Sequence, residues 1–435
     1  MRKFLFLLIL ILLLIFFLPW ILSSPFGKFL VEKEFSKKSG FTVSITKVSW
    51  SWLGPQAFEG VAFQNEAITG TVNEVKLTLP LWKIEEWRKE ILIKGGTLFF
   101  SKENLHFTEI EGTVAENNID LSGKGSHGGN LLIRGTIASQ SNFDVELHLK
   151  DFPSIAIDEL LHAEGLFSTF LSPLFNCDAH LSPTSIAGTL NSKTANVALD
   201  GSLHEGFFFL SRPFTLSLMI TPEIAKELQK RFALDLLQAQ NPFRLQIDPA
   251  GAKIPISPFS LKNLQIGHGT LDLGKFIMDK ALSFPPLFSL PSPLSVWLTQ
   301  IFFSINQETI QLDRVDGLLG GKVHLCSWGQ IQLLTSALHL TLGFPADTLE
   351  KLLKVSSLPP TYVLQIPVTG TLQDPQLATS IAASKMGALV AIQHGEQAGG
   401  LFGKKGRMIG KVIQQATPFP QDPPAPPPHL PFPWE

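Results

Sequence analysis

The chain opens Met1-Arg2-Lys3 and then runs from Phe4 to Leu22 without a charge, with Pro19 the one residue of that run that is not strongly apolar. Nineteen residues of helix at 1.5 Å per residue make about 28 Å, close to the thickness of a bilayer's hydrocarbon core. In lipid such a helix satisfies its own backbone groups, and Trp20 suits the interface. The pattern predicts a transmembrane anchor over residues 1–24. A cleaved signal peptide has a shorter apolar core and a small-x-small site; here Ser23 and Ser24 are followed directly by Pro25. Arg2 and Lys3 stay cytoplasmic under the positive-inside rule, which places the bulk of the chain on the far side. Lys28, Lys33, Lys37 and Lys38 pull against that orientation.

Beyond the anchor, residues 25–40 read as an amphipathic helix. Phe26, Phe29 and Leu30 separate from Lys33 and Lys37 at helical spacing, and Ser39-Gly40 supplies a stop. From Phe41 the period changes to two. Val75, Leu77 and Leu79 alternate with polar neighbours, as do Phe143, Val145, Leu147 and Leu149, and again Leu338, Leu340 and Leu342. This alternation predicts antiparallel strands with one apolar and one polar face. Gly, then Thr or Ser, then an aliphatic residue recurs, at Gly70, Gly96, Gly112, Gly135, Gly188, Gly201, Gly269 and Gly370. Its irregular spacing excludes a strict solenoid. Its residue types suggest glycine at turns and a long meander of similar hairpins. Thr221-Pro222-Glu223 starts a helix, carried on by Ile224, Leu228, Phe232 and Leu236. Pro345 to Val355 repeats that logic, Ile157 to Leu171 is a weaker helix, and Pro375 to Gln393 is Ala-rich and helical in pattern. Ser283 to Pro293 must be extended or looped.

Composition adjusts this picture in three ways. Charged residues are 17%, and 34 residues are Phe against one Tyr, so apolar surface without a polar handle is plentiful. Net charge is −2, which gives no general attraction to nucleic acid. The end of the chain is of a different kind. Residues 376–417 form a helical and basic segment in which Lys404, Lys405, Arg407 and Lys411 could touch an anionic membrane surface or simply be solvated. In residues 418–435 nine prolines predict an extended, disordered tail, which could dock an envelope protein partner.

Candidate chemistry is sparse. The histidines are scattered singly, without a metal-binding spacing, and no nucleophile elbow or phosphate loop is formed. Asp313 with Asp316 and Glu85 with Glu86 read as exposed strand-face charges. The thiols of Cys177 and Cys326 read as buried and separate, with a disulfide as the alternative. No cofactor, metal or enzymatic activity is expected.

Short motifs at both ends resemble the AsmA-like family of envelope proteins. Gly40-Phe41-Thr42-Val43-Ser44-Ile45 is similar to the family's first strand. Leu318-Leu319-Gly320-Gly321-Lys322-Val323 resembles one of its strand entries, and Ile366 to Leu377 followed by an Ala-rich helix resembles its C-terminal signature. Residues 100–310 show no alignable motif. The resemblance implies a mainly β protein with some α: a transmembrane helix, then over residues 41–375 a long, curved antiparallel sheet forming an apolar groove, with interspersed helices. It also implies residence in the inner membrane with the bulk periplasmic, and phospholipid movement between membranes or outer-membrane assembly. Val75, Leu77, Leu79, Phe143, Val145, Leu147, Leu338, Leu340 and Leu342 are the groove candidates. The alternative is a membrane-tethered interaction scaffold that works through the Pro-rich tail.

Overall fold

The computed structural model describes residues 18–432 except 66–67, 81–90, 101–104, 126–127, 140–141, 156, 159–164, 233–234, 257–259, 285–287, 355–357, 398–421 and 428–429. The chain is mainly β with some helix, and it divides into two units, residues 1–195 and 196–435. Most of the apolar run Phe4–Leu22 lies outside the described residues. Among the described residues no helix is long and apolar enough to cross a membrane.

The first unit is a meander of ten strands: β1 (Thr42–Ser49), β2 (Gln56–Gln64), β3 (Ile68–Leu77), β4 (Ile91–Phe100), β5 (Leu105–Ala115), β6 (Asn118–Gly125), β7 (Asn130–Ser139), β8 (Asn142–Pro153), β9 (Leu174–Leu181) and β10 (Ser185–Ser192). Each pairs antiparallel with the next. The strand carrying Val75 and Leu77 stops there, and Leu79 lies beyond it, restricted by Pro80.

Helix α1 (Pro25–Ser39) begins at Pro25 behind the cap residue Ser24 and ends at Gly40, whose φ of 74° only glycine adopts without cost. It seals the free edge of β1. Ser36 Oγ accepts the Val43 N–H at 2.9 Å, Glu32 Oε1 that of Ile45 at 2.6 Å, and Ser23 Oγ that of Trp50 at 2.9 Å. Val31 packs beside Ile45, Val48, Phe58 and Leu77. Phe26, Phe29 and Leu30 are exposed and turned away from this contact.

The recurring glycines sit inside strands instead of at turns, except Gly370, which ends its strand at a hairpin turn with φ 88°. A Cβ on Gly112 would lie 2.0 Å from the carbonyl oxygen of Asp120, and one on Gly135 2.0 Å from that of Asp144. Glycine is used here because the next strand's backbone comes too close for any side chain.

In the second unit, the strands Gln265–Asp272, Ile301–Asn306, Thr309–Leu319, Val323–Gln332, Leu338–Pro345, Val363–Gly370 and Pro375–Leu377 pair in that order. Pro375–Leu377, expected to begin a helix, is a short strand, and the helix is Thr379–Gln397. This helix and Ala346–Leu353 close a core of Phe344, Leu349, Leu364, Ile366, Ala382 and Met386. Helix Pro222–Phe232 covers a second core that includes Ala225, Phe276, Leu294 and Val323. Leu236, expected on that helix, begins a strand instead. Within the stretch Ser283–Pro293, expected to be looped or extended, the described residues include a short hairpin, Leu282–Phe284 with Phe288–Leu290, which Pro291 and Pro293 follow. Of the proline-rich tail, residues 422–427 and 430–432 are described: they form no helix or strand and are laid down against this unit, with Phe432 only 3% exposed. Proline content removes helix and sheet but does not prevent docking of a preformed extended chain.

Candidate functional site

Residues directly opposite on antiparallel strands share a face, so the register of the first unit can be followed across the sheet. Val75 stands opposite Ile93, Ile93 opposite Gly112, and Gly112 opposite Leu121. The line continues through Ile133 and Leu147 to Ala179 and Gly188. Two residues along the strands a second line runs from Leu77 through Ile91, Val114, Ile119, Gly135, Val145 and Leu181 to Ile186. A third, shorter line joins Gly123, Leu131, Leu149, Cys177 and Leu190. Every member of the first two lines is apolar. With strands about 4.8 Å apart, eight strands carry an apolar band about 34 Å long.

The opposite face is polar over the same strands. Asp120, Arg134, Glu146 and His180 face one another in turn, and so do His148 and Asp178. Arg134 Nε approaches Asp120 at 3.3 Å, His148 Nδ1 lies 2.7 Å from Asp178, and His180 meets Asp144. These pairs are exposed and contribute little individually. They make the two faces chemically opposite.

Burial separates the ends of the band from its middle. At one flank Val48, Phe58 and Leu77 are buried under α1. Near the ends of the strands Phe107, Phe152 and Phe175 are buried, Phe107 stacked on Phe152 with centroids 6.0 Å apart and Phe152 edge-to-face with Phe175 at 5.9 Å. Between them, from Ile91 and Ile93 to Ile186 and Gly188, every residue of the two lines is half-buried and none is buried.

Of the sequence candidates, Val75 and Leu147 share one line, and Leu77 and Val145 the next. Phe143 stands opposite Ile137 in the row beyond. Leu79 is off the strand, its carbonyl accepting a 3.3 Å bond from Gln56 Nε2. Leu338, Leu340 and Leu342 belong to the other unit. There Leu338 is buried and Leu342 packs on the Phe344 cluster. Lys404, Lys405, Arg407 and Lys411 lie outside the described residues, as do Glu85 and Glu86. The sequence reading missed Ile91, Ile93, Val114, Ile119, Leu121 and Ile133. Their signal was present, for Ile119 and Leu121 alternate with Asp120 and Ser122, but the interleaved glycines cut the runs short.

The second unit holds a buried polar cluster that the sequence did not disclose. Asp316 is not an exposed strand-face charge; it is fully buried. Strand Thr309–Leu319 changes partner along one edge, from Ile301–Asn306 to Leu294–Leu298. Asp316 sits where the edge splits, with Thr299 Oγ1 accepting its N–H at 3.0 Å. Arg314 grips its carboxylate through Nε at 2.9 Å and Nη2 at 2.8 Å. His324 Nε2 donates to Asp316 at 2.8 Å, and Nδ1 lies 3.2 Å from both oxygens of Asp347. Both ring nitrogens therefore face carboxylates, which only the imidazolium can satisfy as a double donor. Burial disfavours the charged form of His324, but hydrogen bonds to Asp316 and Asp347 and their charges outweigh it and raise its pKa. Burial likewise pushes Asp316 up, and His324 and Arg314 more than reverse it, holding the carboxyl below its ordinary range. Both cysteines are free thiols, and burial pushes that of Cys326 up to about 12, so it stays protonated. Comparison with protein-family models, curated proteins and solved structures finds no match.

Proposed function

We propose that the apolar face of the first unit binds lipid acyl chains, and that the protein is a membrane-anchored lipid-binding or lipid-transferring factor. The observation that supports this most directly is the unbroken apolar register from Val75 to Gly188, half-buried through its middle and backed by a polar face. A band about 34 Å long exceeds the depth of one leaflet, about 15 Å, so it can lie along the full length of a lipid's chains. Each methylene taken from water contributes about 0.8 kcal/mol. The twist natural to a long meander would curl this face into a trough.

Two further features agree. The apolar run Phe4–Leu22 supplies a candidate anchor, and Phe26, Phe29 and Leu30 on α1 are exposed apolar side chains that can meet a membrane surface. The motifs at both ends of the chain resemble AsmA-like proteins, for which phospholipid transport and outer-membrane assembly in a two-membrane envelope are the expected roles. On this reading the anchor sits in the inner membrane and the β-rich bulk is periplasmic.

The test is lipid retention. The full-length chain is purified in mild detergent and its bound lipid measured by native mass spectrometry. Wild type should carry phospholipid. Ile133→Asp with Leu147→Asp should lower the bound fraction at least tenfold, with the far-ultraviolet dichroism unchanged, whereas Leu132→Asp on the polar face should not. A folded wild-type protein free of lipid would sink the proposal.

A further inference from the structure

The C-terminal segment makes specific contacts with the second unit. Arg314 directs Nε and Nη2 to Asp316, and its remaining terminal nitrogen, Nη1, donates to the carbonyl of Pro424 at 2.9 Å. Phe432 is buried, its ring edge-on to Trp297 with centroids 6.0 Å apart and to His324 at 5.6 Å. Trp297 stands opposite Leu318 and Leu318 opposite His324, so the aromatic seat spans three neighbouring strands. An extended proline-rich chain has no internal hydrogen bonds, which leaves its carbonyls as ready acceptors. It is also already ordered, so few contacts suffice to hold it.

We propose that the second unit carries a recognition site for proline-rich segments that contain a Pro-Phe pair, and that the chain's own residues 422–427 and 430–432 occupy it in cis. Arg314 reads a proline carbonyl, and Trp297 with His324 takes the aromatic side chain. Asp316 and Asp347 hold Arg314 and His324 in position from beneath. The contact is of a kind that binds a separate peptide as well, and the tethered copy excludes it by an effective concentration on the order of millimolar. This inference is independent of lipid binding.

The test uses a fluorescein-labelled peptide of residues 422–435 and fluorescence anisotropy. A chain ending at Gln421 should bind the peptide saturably, and the full-length chain at least tenfold more weakly. A peptide carrying Phe432→Ala should lose at least tenfold toward the shortened chain. Full-length protein with Phe432→Ala gives a second receptor that removes only the anchoring ring, and it should also take up the wild-type peptide. Absence of saturable binding to both folded receptors would overturn the proposal. So would equal affinity for the wild-type full-length chain, or undiminished binding of the Phe432→Ala peptide.

Discussion

At Gly135 the backbone of β7 passes so near β8 that a single methyl group would meet the Asp144 carbonyl, and its φ of 142° is one that other residues avoid. Gly135→Ala should therefore cost roughly 1–3 kcal/mol through strain, more if the strands separate. The check is the midpoint of urea unfolding, and an unchanged midpoint would mean that the strands part freely. His324 is a second such residue. Its pKa is raised, so its contribution to stability is complete below its unfolded value of about 6.5 and is lost as pH rises through the higher folded value. The groups that face it or its partners are Asp316 and Arg314 on one strand, Cys326 on its own strand, and Asp347 with Lys351 on the covering helix. Asp316 and Asp347 are depressed, so their contributions hold above about 3.9 and disappear as pH falls. The urea midpoint should accordingly be highest between these ranges and fall on the alkaline side. His324→Gln should flatten that alkaline fall; a His324→Gln profile parallel to wild type would remove the imidazolium from the account.

Two elements depend on side chains that bridge to a neighbour. Helix α1 holds the edge of β1 through Ser36 and Glu32, and Ser23 just before the helix takes the Trp50 N–H just past the strand, which prevents unpaired N–H groups from inviting another strand. Removing the charged acceptor with Glu32→Ala should cost about 1–3 kcal/mol. Its signature is faster hydrogen exchange at the Ile45 amide, ahead of residues in β5 to β8; uniform exchange would contradict an edge-sealing role. Helix Ala346–Leu353 presents Leu349, fully buried against Phe344 and Leu364. Leu349→Ala should cost about 2–5 kcal/mol, judged by thermal and urea unfolding.

For the molecule as a whole, the two faces of the first sheet should behave oppositely. A photo-crosslinking residue at Ile133 should capture phospholipid from native membranes, while one at its neighbour Leu132, on the polar face, should not. Capture at both positions with equal yield would contradict a one-faced lipid site. The strands responsible were legible wherever alternation ran unbroken, as at Phe143 to Leu149, because a period of two follows from backbone geometry alone. Register was not legible. That Val75 and Leu147 stand in one line, five strands apart, follows from pairings set by turns and by glycines that admit close backbones. Leu338 to Leu342 alternate just as cleanly, and yet Leu338 is buried and Leu342 packs on a core cluster of the other unit, since periodicity says which residues share a face and not what covers it.

By itself the sequence determined the β-rich class, the apolar N-terminal run and the start and stop of α1, all of which follow from local backbone preference and hydrophobic spacing. Tertiary structure alone decided the band across β3 to β10, the burial of Asp316, and the seating of Phe432 between Trp297 and His324. Those depend on contacts between residues far apart in the chain, and no local preference encodes which distant partner a strand, a charge or a ring will meet.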